Sequence, residues 1–117
     1  MVSLERILNK GFDSNLTFSQ FEERVYNNFK SIEPTQHAIY RMKERHIDYE
    51  YILDLLNTKI PTYIINERNA NGIERYVLIY KYDDCGDKFK SYMNVVLDYC
   101  QYNQKLSIVT VYKMKGK

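Results

Sequence analysis

The chain has 117 residues, 44% of them hydrophobic and 27% charged, with a formal net charge of +2. These values are typical of one globular domain, and they exclude chain-wide disorder and a collagen-like composition. No apolar run reaches the roughly 18 residues of a membrane span, and the N-terminal residues do not predict a signal peptide. The small net charge by itself does not indicate an extensive nucleic-acid-binding surface. The positive charge is concentrated at the C-terminal end, because residues 99–117 contain four lysines and no acidic residue.

The first third of the chain predicts helical structure. Residues 1–16 predict a marginal helix or a mobile arm, because their short amphipathic stretch is broken at Gly11. Thr17, followed three positions later by Gln20, matches a capping box at the start of a helix over about 18–30. That helix has an apolar stripe made of Phe18, Phe21, Val25 and Phe29. Such a stripe is typical of a surface that faces the core, and the alternative is a docking helix for a partner protein.

Two further helices are predicted after the break at Pro34-Thr35. The second helix spans residues 36–46, and Asp48 is placed to cap a third helix over about 49–57. The core-facing side of the second helix is predicted to carry Ala38, Ile39, Met42 and His46.

The hydrophobic period changes after Pro61, and runs rich in aromatic and β-branched residues predict four strands. They span residues 62–67, 75–82, 91–100 and 106–114, with a strong turn signal at Asn69–Gly72. This order predicts an α+β domain in which N-terminal helices pack on one face of a four-stranded antiparallel meander sheet. Residues 34–117 form the predicted main domain, and residues 1–33 a helical extension packed on its core.

One constellation of polar residues stands out on the second predicted helix, with the spacing H-A-x-x-R-x-x-x-R from His37. Residues four apart stack on one side of a helix, so His37, Arg41 and Arg45 form one ridge beside the core face. Arginine binds phosphate with a forked, permanently charged donor set, and histidine can give or take a proton near neutral pH. The last strand places Thr110 and Tyr112 on one face, where a tyrosine can stack on a base or donate to phosphate.

The motif, the short helix after it and the strands ending in Ile108-Val109-Thr110-Val111-Tyr112 resemble a small bacterial family. That family is grouped with RelE-like toxins in the barnase–EndoU–colicin–RelE superfamily of ribonucleases. The resemblance covers residues 36–114 and implies a RelE-like fold. It also implies metal-independent RNA cleavage without a cofactor, in which the ribose 2′-hydroxyl attacks its own phosphate. The implied biological role is that of a toxin, either in a toxin–antitoxin pair or at the tip of a larger delivered toxin.

The resemblance also implies roles for particular residues. His37 and Arg41 fall on the family's helix positions and Thr110 on its polar last-strand position, and Arg45 fits the same pattern. His37 would act as general base or acid, while Arg41 and Arg45 would stabilise the charged phosphorane. Thr110 and Tyr112, the latter added from strand alternation, would contact phosphate or base.

The implied partners are RNA (tRNA or mRNA) and a cognate antitoxin or immunity protein, with no membrane partner. The implied site of action is the cytoplasm, reached directly or by delivery into a target cell. Lys105, Lys113 and Lys115 are candidate contacts of RNA phosphates. The alternative is a catalytically inactive RNA- or protein-binding module on the same fold, such as an adaptor or inhibitor from a phage or mobile element. Such a module would use its basic face to hold RNA or a protein partner. A purely structural alternative for Arg41 and Arg45 is that they pair with Glu44, Asp48 or Glu50 across helix turns.

The sequence predicts no metal site. Cys85 and Cys100 have no ligand spacing with the histidines, and two reduced thiols are the simplest interpretation. Asp83, Asp84 and Asp87 lack the spacing of a calcium-binding hand and predict a turn.

Overall fold

A computed structural model describes residues 16–82 and 91–115 of the chain. The helices are α1 (Phe18–Phe21), which continues directly into a π-helical turn (Glu22–Tyr26), α2 (Gln36–Glu44) and α3 (Tyr49–Thr58). The strands are β1 (Ser31–Pro34), β2 (Tyr63–Ala70), β3 (Ile73–Tyr82), β4 (Ser91–Cys100) and β5 (Lys105–Lys115). The predicted arm at residues 1–15, Cys85 and the aspartate-rich turn lie outside the described residues.

The sheet has five strands in the order β1-β5-β4-β3-β2, and β1 pairs with β5 in parallel. The predicted four-stranded antiparallel meander is therefore wrong, although the α+β class and the three antiparallel pairings of β2 to β5 are present. The strand that sequence analysis missed is β1, which has only four residues and ends in Pro34. Proline is tolerated at an edge strand, but in the sequence this segment looks like a break between helices.

The predicted capping box at Thr17 is confirmed. The Thr17 hydroxyl accepts the Gln20 N–H at 3.2 Å, and the Gln20 side chain accepts the Thr17 N–H at 3.0 Å. Regular α-helix ends at Phe21, well before the predicted end near residue 30, because a π-helical turn follows. Phe21 and Val25 are fully buried in the same core as the sheet. The apolar stripe of this segment is thus part of the core rather than a surface.

The hairpin between β2 and β3 is tighter than predicted. Both strands extend toward each other, and only Asn71 and Gly72 remain as the turn. Their φ angles of 55° and 77° are those of a two-residue turn that asparagine and glycine favour.

Each face of the sheet carries an apolar cluster. Helices α1, α2 and α3 pack on one face, which we call the helix face, over residues that include Tyr76, Leu78, Val95, Leu97, Ile108 and Val111. The opposite face carries Ile65, Val77, Ile79, Tyr92, Val96 and Met114. The pairing of β5 with β4 shifts at Val109, since Val96 pairs with Thr110 whereas Leu97 pairs with Ile108. This bulge reverses the alternation along β5, so that Val111 returns to the helix face.

Helix α2 ends in a Schellman arrangement. The N–H of Ile47 donates to the carbonyl of Met42 at 2.8 Å, and the N–H of His46 donates to Lys43 at 3.3 Å. His46 has a φ of 55°, the left-handed conformation that glycine normally supplies at this position. The prediction that His46 lies on the core face of the helix is wrong, because the helix ends at Glu44 and His46 is exposed.

Replacing His46 with glycine should stabilise the fold. The left-handed conformation costs a residue with a Cβ roughly 1–2 kcal/mol, and part of this gain is offset by the greater freedom of glycine in the unfolded chain. We expect His46→Gly to raise the free energy of unfolding by about 0.5–1 kcal/mol, measured by urea denaturation. A lower stability would show that the imidazole makes contacts that outweigh the strain.

Three tyrosines contribute to the core on the helix face: the half-buried Tyr26 of the π-helical turn, and the buried Tyr76 and Tyr80 of β3. The rings of Phe21 and Tyr76 meet edge to face with centroids 5.0 Å apart, and Tyr26 is also 5.0 Å from Phe21. Burial raises the pKa of Tyr26, Tyr76 and Tyr80 above the ordinary value. The Glu74 carboxylate accepts the Tyr76 hydroxyl at 2.7 Å and raises the pKa of Tyr76 further.

These tyrosines should make the fold sensitive to alkali. A tyrosine whose pKa is higher in the folded state contributes stability that is fully present below its unfolded pKa of about 10 and is lost as the pH rises further. The free energy of unfolding should fall above about pH 10 by on the order of 1 kcal/mol per pH unit for each such tyrosine. Urea denaturation from pH 8 to pH 11 measures this fall, and Tyr76→Phe should make it shallower; an equally steep fall in that variant contradicts the assignment.

Candidate functional site

The start of α2 is attached to β5. Thr35 donates its backbone N–H to the carbonyl of Ile108 at 2.9 Å and its hydroxyl to the carbonyl of Val109 at 3.3 Å. The same hydroxyl accepts the Ala38 N–H at 3.0 Å and so caps the helix. Because Ala38 and Met42 are buried against the sheet, α2 is held against β5 on one side. The α2 ridge, defined as His37, Arg41 and Arg45, lies beside this contact.

Arg45 joins the end of α2 to the second half of β5. Its Nη1 donates to the carbonyl of Val111 at 2.8 Å and lies 3.3 Å from the hydroxyl of Thr110. Strand β1 pairs with residues 105–108, and the Thr35 hydroxyl donates to the Val109 carbonyl, so among the described residues the β1 side of β5 has no strand partner from Val109 onward. We call residues 109–113 of that side the β5 edge. At this edge the Arg45 guanidinium donates to the Val111 carbonyl, and the contact brings together two residues of the predicted site, Arg45 and Thr110.

Arg41 lies in the middle of the ridge and is paired within its own helix. Its Nη1 donates to the Glu44 carboxylate at 2.8 Å, and its guanidinium carbon is 5.9 Å from the centre of the Tyr40 ring. The hydrogen bond from Arg41 lowers the pKa of Glu44. The pair is more than a third exposed on both sides, so a phosphate could replace the carboxylate as the partner of the guanidinium at little cost.

His37 lies at the other end of the ridge, in the first turn of α2, where it is exposed. Eight residues separate it from Arg45, which corresponds to roughly 12 Å along the helix axis. The ridge therefore spaces its three groups at intervals of roughly 6 Å, rather than converging them on one point.

The bulge at Val109 decides where the predicted β5 residues point. Thr110 and Tyr112 lie opposite Val96 and Asn94 of β4, on the face away from the helices. Tyr112 packs against the apolar cluster of that face. Arg45 can contact Thr110 from the helix side because none of the described strands pairs with this part of β5 on its β1 side, so the guanidinium passes around the edge of the sheet.

The predicted lysines are dispersed along β5. Lys105 begins the strand and pairs with Glu33 at 3.0 Å, roughly 25 Å along the strand from Lys113. Lys113 lies on the helix face, opposite Met93. Lys115 ends the strand, and its side chain lies outside the described residues. Lys113 lies near the end of the α2 ridge, since it lines the same cleft as His46, whereas Lys105 lies far from it.

Sequence analysis missed a cleft between the α2–α3 turn and the sheet. The turn cleft has a volume of about 190 Å³ and is lined by His46, Ile47, Asp48, Tyr51, Met93 and Lys113. Asp48 caps α3 as predicted, by accepting the Glu50 N–H at 3.0 Å. Because the predicted helix end at residue 46 is compatible with this cap, no local signal located His46 in the cleft.

Among residues 16–82 and 91–115, no group of three histidine, cysteine, aspartate or glutamate side chains could hold a metal ion. In the same part of the chain, no helix has the length and apolar character needed to cross a membrane. Comparison of the chain with models of known families, with curated proteins and with solved structures gives no match.

Arg45 should contribute more to stability than its ridge neighbour Arg41. Arg45→Met keeps most of the aliphatic stem but leaves the Val111 carbonyl without its partner, so we expect a loss of about 1 kcal/mol in the free energy of unfolding. Arg41→Met removes only a surface pair and should change stability little. Urea denaturation of both variants measures the difference; equal effects would show that the bond to Val111 carries no stability.

Proposed function

We propose that this protein is a metal-independent endoribonuclease that binds RNA along the α2 ridge and the β5 edge. The observation that supports the proposal most directly is the contact of Arg45 with Val111 and Thr110. In this contact the Thr110 hydroxyl lies 3.3 Å from Arg45, and both are residues that the resemblance to RelE-like toxins points to. The proposed site of action is the cytoplasm, and the proposed partners are tRNA or mRNA and a cognate antitoxin or immunity protein.

The geometry of the ridge suits a strand of nucleic acid. A guanidinium has five N–H donors, and the contacts of Arg45 with β5 use only Nη1. The remaining donors of Arg45, together with Arg41, can bind successive phosphates along the ridge. Because such contacts go to the backbone, they would bind RNA with little preference for sequence.

In the proposed reaction, His37 takes the proton from a ribose 2′-hydroxyl. The 2′-oxygen then attacks the adjacent phosphorus, and Arg41 stabilises the negative charge of the phosphorane. The bond to the 5′-oxygen breaks, this oxygen takes up a proton, and a 2′,3′-cyclic phosphate remains on the other product. The separation between His37 and Arg45 means that Arg45 would hold a neighbouring phosphate rather than the one that reacts.

A specific observation favours a second candidate, a catalytically inactive RNA-binding module. The ridge contains a single imidazole, whereas the cleavage reaction needs one proton acceptor and one proton donor. The ridge arginines can bind phosphates without either.

A cleavage assay on total RNA and tRNA in the presence of EDTA tests the enzyme. We expect products with 2′,3′-cyclic phosphate ends, and a loss of at least about 100-fold in rate for His37→Ala and Arg41→Ala. The matched control is Lys43→Ala, which removes an exposed cation from the same helix outside the ridge. It should cleave at the wild-type rate.

Each outcome of the assay separates the two candidates. Cleavage by His37→Ala at the wild-type rate contradicts the catalytic assignment of that residue. RNA binding by the wild type without cleavage, weakened by Arg41→Ala but not by Lys43→Ala, favours the binding module.

A further inference from the structure

Helix α2 presents an exposed aromatic side chain beside the ridge. Tyr40 is 61% exposed, and it belongs to neither of the two apolar clusters of the sheet. It lies three residues after His37 and directly before Arg41. Because residues three apart are neighbours on a helix surface, the ring lies close to the proposed proton-transfer group. The core does not account for an aromatic residue at this position.

Two side chains of the same helix contact Tyr40. The guanidinium carbon of Arg41 lies 5.9 Å from the centre of the ring, within the range of a cation–π contact. Glu44 accepts Arg41 Nη1 at 2.8 Å. This hydrogen bond lowers the pKa of Glu44 most, and a hydrogen bond from the Tyr40 hydroxyl adds to the effect. The ring and the guanidinium are therefore placed next to each other by contacts within α2, before any ligand binds.

This arrangement fits an unpaired nucleobase. Bases that are not in a duplex stack on aromatic rings and on the plane of an arginine guanidinium, and such stacking accepts any of the four bases. In a duplex the bases already stack on one another, so a protein ring cannot reach their faces. A ring beside a phosphate-binding arginine thus favours nucleotides that are unpaired.

We propose that Tyr40 and Arg41 form a stacking platform for one unpaired base, next to the phosphates that the α2 ridge binds. The substrate class is then single-stranded RNA, either a free strand or the loop of a folded RNA. The inference rests on the proposed function in taking RNA as the ligand, but it does not require cleavage. Tyr40 is a binding residue here and takes no part in proton transfer.

Binding of a short 2′-O-methyl RNA, measured by fluorescence anisotropy, tests the platform without cleavage, because this RNA lacks the attacking hydroxyl. Tyr40→Ala should weaken binding of the single strand about tenfold and leave binding of a duplex of the same sequence unchanged. Tyr40→Phe keeps the ring and should largely retain binding. The matched control is Tyr102→Ala, which removes a ring that is 83% exposed in the turn between β4 and β5; it should bind as the wild type does.

An abasic nucleotide separates stacking from charge, since it removes the base and keeps the phosphate. It is placed at each position of the single strand in turn. At one position the loss of the base should weaken binding by the wild type about as much as Tyr40→Ala does. The same abasic strand should bind Tyr40→Ala no more weakly than the intact strand does, because the two changes remove one shared interaction.

The platform is overturned if the wild type binds no single-stranded RNA, or if every abasic position has the same effect. It is also overturned if Tyr40→Ala retains wild-type affinity, or loses single-strand and duplex binding equally. Failure of the proposed enzyme looks different: binding that depends on Tyr40 without cleavage of unmodified RNA leaves the platform standing. Cleavage with binding unaffected by Tyr40→Ala does the reverse. An unchanged urea midpoint shows that Tyr40→Ala is folded.

Discussion

The parallel pairing of β1 with the first four residues of β5 fixes the arrangement around the proposed RNA-binding surface. Since β1 ends at Pro34, Thr35 can bond the next carbonyls of β5 and start α2 directly above that strand. The same short pairing leaves the rest of β5 open on that side. Arg45 occupies the opening from the far end of α2. A longer β1 would close the edge and remove the place where helix and strand side chains meet.

The surface around α2 has a polar group at each end of the helix. His37 lies in its first turn, and His46 lies just beyond its last turn in a strained conformation. Their separation of nine residues, roughly 13 Å along the helix axis, keeps the two imidazoles apart. In the proposed complex, the RNA strand lies along the α2 ridge, with Arg41 in the middle. The apolar stripe that begins in α1, in contrast, belongs to the core, since Phe21 and Val25 are buried and Phe18 and Phe29 pack against the same cluster. This leaves the α2 surface as the more suitable face for a charged partner.

Much of the local structure could be predicted from the sequence. The starts of the helices depend on side-chain oxygens three residues or fewer from the groups they cap, at Thr17, Thr35 and Asp48. The long strands depend on alternation within a single segment, and β4 has the predicted bounds Ser91–Cys100. The α2 ridge follows from helical spacing alone. The predicted meander failed because β1 is four residues long and acquires its strand character only from its partner β5.

The sequence by itself determined where the helices begin, where the long strands run, and which residues share the α2 ridge, because these features depend on interactions between near neighbours. Only the tertiary structure decided the rest. The bulge at Val109 places Thr110 and Tyr112 on the face away from the helices, against the alternation set by Leu106 and Ile108. The contact of Arg45 with β5 joins residues 65 or more positions apart. Such contacts depend on how strands pair and where an edge is left open, which no local pattern specifies.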